Sequence, residues 1–188
     1  MSKRRLIPTK HYSKEQIQCL LDHTSPHERV AFALAIHAGL SPEELVQLAH
    51  TSFDLQNNLI FVPAIESQYR RYIRIAPAMC EFITPFLGHQ KGTAYAFCQC
   101  TGIPLSRLWL ARSLERALHE ANFEICALDD LRWSGAGWLL EAGVPYAVVA
   151  ARFAVTRETL YRRFPRTSPG KRSHPLPLEE VLPSIAVY

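Results

Sequence analysis

The 188-residue sequence has no apolar run of membrane-spanning length, which excludes a bundle of membrane helices. Its start, Met1-Ser2-Lys3-Arg4-Arg5-Leu6, is basic but lacks the apolar core of a signal peptide. A disulfide framework is also missing. The five cysteines, Cys19, Cys80, Cys98, Cys100 and Cys126, are odd in number and irregularly spaced. Cys98 and Cys100 stand one residue apart, poor spacing for zinc ligands, and no second pair follows. Free thiols in a reducing cytoplasm are therefore expected, with no metal, no cofactor and no membrane association. No internal repeat is visible.

What is present is a foldable core. Hydrophobic residues make up 48% of the chain and charged residues 20%, in the range of one ordinary domain with tails. The net charge of +4 is mild, but the charge is clustered. Arg157, Arg162, Arg163, Arg166, Lys171 and Arg172 crowd one stretch, and Lys3, Arg4, Arg5, Lys10 and Lys14 crowd another. Clusters of this kind mark a phosphate-binding surface or a solvated basic tail.

The local signals predict helices, a small sheet, then helices. Ser13 with Gln16, Ser25-Pro26, and Ser41-Pro42 with Glu44 each read as a helix start. Asn57-Asn58 is turn-like, and Leu59–Val62 and Tyr69–Ile75 read as the strands of an antiparallel hairpin. Helices follow at about 77–87, 104–121, 130–142, 145–152 and 157–164, the third of them ending at Gly143. After Pro165 the composition turns to proline, serine and basic residues, as in an irregular tail. The expected organisation is a basic arm over 1–12, a domain over 13–165 and a Pro-rich basic and apolar tail over 166–188. The fold class is mainly α with a small antiparallel sheet.

Several segments, in order, resemble the catalytic domain of tyrosine recombinases, the phage integrase family. Ala35-Ile36-His37-Ala38-Gly39-Leu40-Ser41-Pro42-Glu43-Glu44-Leu45 is similar to its first signature, Arg71–Ile75 to its second hairpin strand, and Leu128-Asp129-Asp130-Leu131-Arg132 to its His-Asp-Leu-Arg motif. Thr159-Leu160-Tyr161 falls where the family's nucleophile stands. The resemblance implies DNA strand exchange, in which positive donors neutralise a pentavalent phosphate and a tyrosine attacks to form a phosphotyrosyl link. It carries over at Arg132 and Tyr161 only. Ser41 stands for the first arginine, Glu66 for the hairpin lysine, Asp129 for the first histidine and Arg152 for the second. Glu66 and Asp129 bring negative charge to a place that must stabilise negative charge, so cleavage is not expected. Ser41 and Asp129 also have a plain reading as helix-start residues, and Tyr161 one as an amphipathic helix residue.

The stretch 130–165 also resembles the helix-turn-helix domain of serine invertases and resolvases, from Arg132-Trp133 through Val149-Ala150 and Val155 to Thr159-Leu160-Tyr161-Arg162-Arg163-Phe164-Pro165. Ala154 sits where the tight turn usually takes glycine. That resemblance implies that Thr156 caps a recognition helix, that Arg157 and Glu158 meet base edges, and that Tyr161, Arg162 and Arg163 hold phosphates. Arg70, Arg71, Arg132, Arg152, Arg166, Lys171 and Arg172 complete the expected DNA contacts. The two resemblances assign Tyr161 differently.

Both point to duplex DNA as the partner. The expected function is a recombinase-fold DNA-binding protein without efficient cleavage, regulatory or accessory in transcription, recombination or conjugative transfer of a mobile element. It would work in a bacterial cytoplasm, on nucleoid or plasmid. One alternative is an active recombinase or nicking enzyme using Tyr161, and another is a protein-interaction module that binds no DNA. The apolar tail suggests a homo-oligomer, and a partner recombinase or relaxosome protein is a further candidate.

Overall fold

Three successive helices begin with the same device. Ser13, Ser25 and Ser41 each accept a backbone N–H with the hydroxyl, while Gln16, Glu28 and Glu44 reach back to the N–H of the serine. These reciprocal caps satisfy donors that a helix start leaves orphaned. They open α1 (Lys14–Asp22), α2 (Pro26–His37) and α3 (Pro42–Gln47). The computed structural model describes residues 12–65, 69–89, 94–99 and 102–165.

The sheet follows, with β1 (Phe53–Asp54), β2 (Leu59–Val62) and β3 (Arg71–Arg74) antiparallel in the order β1-β2-β3. Ile60 pairs with Phe53 on one side and Ile73 on the other. Ile60, Val62 and Ile73 are buried and Tyr72 is exposed, as the two-residue alternation of a strand requires. Among the described residues five helices follow: α4 (Pro77–His89), α5 (Arg107–Glu120), α6 (Leu128–Glu141), α7 (Tyr146–Phe153) and α8 (Arg157–Arg163).

The core is built around α2. From Val30 to Ile36 every residue is essentially inaccessible, so this helix is buried on all sides. α6 crosses it at very short range. A Cβ at Gly135 would lie 2.1 Å from the carbonyl oxygen of Ile36, which leaves glycine as the residue that fits without moving the helices apart.

The mainly α fold with a small antiparallel sheet is therefore as expected, with three differences in detail. The two-residue β1 extends the predicted hairpin to a third strand. α5 starts at Arg107 rather than near 104, because Leu105 donates its N–H to Phe97 and Ser106 is the N-cap, accepting from Trp109 at 3.1 Å. Tyr12 belongs to the domain and not to the basic arm. Its ring is buried, its N–H donates to Ser134 Oγ at 3.1 Å, and its carbonyl accepts from Trp138 Nε1 at 3.2 Å. The rest of the arm and the tail from 166 lie outside the described residues. Among the described residues no helix is long and apolar enough to cross a membrane.

Candidate nucleic-acid interface

α2 ends at a chain reversal whose carbonyls organise the site. Gly39 has φ +69°, and a Cβ there would stand 2.9 Å from the Phe153 ring, so both backbone and packing call for glycine. The reversal leaves the carbonyls of His37 and Gly39 pointing away from the helix, at its electronegative end. Two guanidinium groups meet them. Arg152 donates to the His37 carbonyl through Nε at 2.9 Å and Nη2 at 2.5 Å, and to the Arg74 carbonyl through Nη1 at 3.0 Å. Arg132 donates through Nε to the Gly39 carbonyl at 2.7 Å and through Nη2 to the carbonyl of Phe153. Its Nη1 lies 3.5 Å from the Asp129 carboxylate.

A third guanidinium closes the network. Arg71 donates through Nε to the Arg152 carbonyl at 3.0 Å and through both terminal nitrogens to Glu44, whose side chain is fully buried. Glu44 thus does two jobs, capping α3 and neutralising Arg71. The C-terminal carbonyls of α2 and of α7 face one cluster of three cations, which ties α7 to the body of the domain.

Burial shapes the electrostatics of this cluster. It pushes the Arg152 guanidinium down to about 10, with the nearby charge of Arg71 acting in the same direction. Burial also lowers Arg132, partly offset by Asp129 and Glu44. His37, at the same helix end, is pushed down to about 3 by burial and then by the positive charge of Arg152. Its imidazole is neutral at physiological pH, and its Nε2 has no hydrogen-bond partner among the described residues.

The same placement gives internal partners to three of the expected DNA contacts. Arg71, Arg132 and Arg152 are expected DNA contacts, and in the structure their guanidinium groups hold backbone carbonyls and the carboxylates of Glu44 and Asp129. Arg132 is only 5% exposed. A fork of five donors matches a helix C-terminus as well as it matches a phosphate, and the fold brings those helix ends to it. Ser41 is the buried cap of α3, and Asp129 is half exposed beside Arg132. Glu44 and His37 are site residues that the sequence reading missed; the capping-box position of Glu44 gave no sign of its pairing with Arg71.

The second region is the helix pair α7–α8. Ala154 takes left-handed angles, φ 50° and ψ 47°, and turns the chain between the helices. Thr156 accepts the Thr159 N–H at 3.1 Å and caps α8. Phe153, Leu160 and Phe164 point into the core. Thr156, Arg157, Glu158, Tyr161 and Arg162 are exposed, as expected. Tyr161 stacks on Tyr146 with ring centroids 4.4 Å apart, and the Tyr146 hydroxyl donates to the Phe164 carbonyl at 2.8 Å. Arg163, also an expected phosphate contact, has partners within the domain. It pairs with Asp130 at 3.0 Å and lies over the Trp133 ring at 4.8 Å, so it fastens α8 to α6 instead of projecting from the surface. Arg70 is exposed on the hairpin. Glu66, Arg166, Lys171 and Arg172 lie outside the described residues.

The sequence profile of the phage integrase family matches residues 10–159, and the chain belongs to that family. Its fold is that of the tyrosine-recombinase catalytic domain. The crystal structure of XerA recombinase superposes with a TM-score of 0.75 at 15% identity, covering 81% of this chain and 59% of that one. The Tn1549 transposon integrase, in complex with transposon right end DNA, gives 0.76 at 14% identity over 87% and 63% of the two chains. XerH recombinase in a pre-cleavage complex with its difH substrate gives 0.71 at 19% over 84% and 50%. The chain thus spans between half and two thirds of the length of these structures. Among curated proteins no relative matches the sequence.

Proposed function

We propose that this chain binds duplex DNA through the exposed face of α8 and acts as an accessory or regulatory factor, without cleaving the strand. The observation that carries the reading is the contrast in arginine use. Arg71, Arg132 and Arg152 are committed to internal acceptors, whereas Arg157 and Arg162 are exposed on one short helix. The complexes of the Tn1549 integrase and XerH with DNA support the partner. With Ser41 and Asp129 at positions where the family resemblance implies positive donors, a pentavalent phosphate would find few free cations. Losing one aimed donor costs about 2.7–4 kcal/mol of transition-state stabilisation.

Binding of this kind is dominated by phosphate contacts and weakens steeply with salt. A titration of labelled duplex from low to physiological ionic strength tests it; salt-independent or absent binding would favour the protein-interaction alternative. The enzymatic alternative draws on the exposure of Tyr161, 54% accessible on α8. A nicked suicide duplex decides between them. The expected result is no covalent protein–DNA adduct; an adduct that disappears in Tyr161→Phe would establish a recombinase or nicking enzyme. Transcriptional regulation, recombination and conjugative transfer are the processes in which such a factor would act, together with a partner recombinase or relaxosome protein.

A further inference from the structure

A cleft of about 640 Å³ lies between Tyr69 and Arg71, at the start of β3, and the α7–α8 pair. Its size lies within the range of small-ligand sites, about 300–1,000 Å³. Tyr69 stands at one edge, 89% exposed. Ala150, Ala151 and Val155 line the side formed by the helix pair, and Thr156 and Thr159 bring two hydroxyls to the rim, 3.1 Å from each other. Arg71 also lines the cleft, but its charge is cancelled by Glu44 through a two-pronged ion pair. Such a space suits a flat, neutral group with apolar faces and polar edges. It suits a phosphate badly, since Arg71, the cation that borders it, is already paired.

We infer that this cleft receives one unpaired nucleobase of the bound DNA, stacked on Tyr69 and read at its edge by the hydroxyls of Thr156 and Thr159. The inference rests on the duplex-binding reading, because the cleft borders α8 beside that binding face. Thr156 and Thr159 flank Arg157 in the first turn of α8. A strand whose phosphates meet Arg157 and Arg162 therefore runs past the mouth of the cleft. A paired base has both faces covered by its neighbours and cannot enter; a bulged or extruded base can, at the lowest unstacking cost. An aromatic edge residue with this exposure gains from stacking on any base, so the site would sense unpairing more than sequence.

The test compares one duplex fully paired with the same duplex carrying a single bulged 2-aminopurine, using both affinity and 2-aminopurine fluorescence. The bulged duplex should bind about tenfold more tightly, the scale of one base–aromatic stack, with its fluorescence quenched on binding. Tyr69→Ala should abolish the preference and the quenching and leave affinity for the paired duplex unchanged. Ala151→Phe, which fills the cleft from an exposed helix position, should do the same; unchanged circular dichroism and melting verify that both variants fold. Arg157→Ala should weaken both duplexes by the same factor. Equal affinity for the two duplexes, or a preference that survives in both cleft variants, would overturn the cleft site and leave duplex binding standing. If neither duplex binds but a single-stranded 2-aminopurine oligonucleotide is quenched in a Tyr69-dependent way, the cleft stands and the duplex reading falls. No binding of any of the three overturns both.

Discussion

The inner arginines of this domain and Arg157 and Arg162 of α8 are chemically identical, yet they occupy opposite situations. Arg71, Arg132 and Arg152 lie between two helix C-termini, with donors that meet backbone carbonyls and the carboxylates of Glu44 and Asp129. Arg157 and Arg162 project from a short helix into solvent. The first group stabilises the domain by satisfying buried acceptors; the second leaves its charge available to a partner. Position in the fold, rather than residue type, separates a structural cation from a binding one.

Removal of an inner guanidinium should have the largest effect on stability. Arg132→Met leaves the carbonyls of Gly39 and Phe153 buried without donors and should lower unfolding stability by about 4 kcal/mol in urea denaturation. Arg157→Met should stay within about 0.5 kcal/mol of the parent. Equal losses in the two variants would show that the groups do not differ in kind.

Acid should act on the inner region next. The His37 imidazole takes up a proton near 6.5 when unfolded but only near 3 when folded. Between these values the unfolded state binds more protons, so stability present at neutral pH is lost as the pH falls. The expected loss from about pH 7.5 to about pH 5 is about 2 kcal/mol, measured by urea denaturation at each pH. His37→Gln should flatten that slope; an unchanged slope would assign it to other groups.

The outer region is probed by affinity. Arg157→Ala and Arg162→Ala should each weaken duplex binding about tenfold and reduce the salt slope by about one unit. Arg163→Ala, in contrast, should lower the melting temperature with a smaller effect on binding, because it releases Asp130 and Trp133. The smallest effect is expected from Tyr161→Phe. The ring still stacks on Tyr146, and duplex affinity measured by fluorescence anisotropy should stay within about twofold.

Local signals were readable without the structure wherever a few neighbouring residues suffice. The three serine caps mark the starts of α1, α2 and α3, and the alternation at Ile73 and Ile75 places β3. The start of α5 was less legible, because Phe97 and Leu105 meet through a loop pairing that removes 104–106 from the helix. β1 is a two-residue strand held by register with β2, with no pattern of its own long enough to detect. In the candidate site, the exposed residues of α8 followed from the helix period and the cap at Thr156. The directions of Arg71, Arg132, Arg152 and Arg163 did not.

The succession of elements, the capping and turn positions, and the similarity to an integrase catalytic domain were legible in the residues alone, since these depend on spacing along the chain. Which cations face outward was set by long-range packing. Arg132 binds a carbonyl 93 residues away, Arg152 one 115 residues away, and Arg71 a carboxylate 27 residues away. A long, charged side chain turns to the nearest unsatisfied acceptor, and those acceptors exist only once the C-termini of α2 and α7 have been packed against each other.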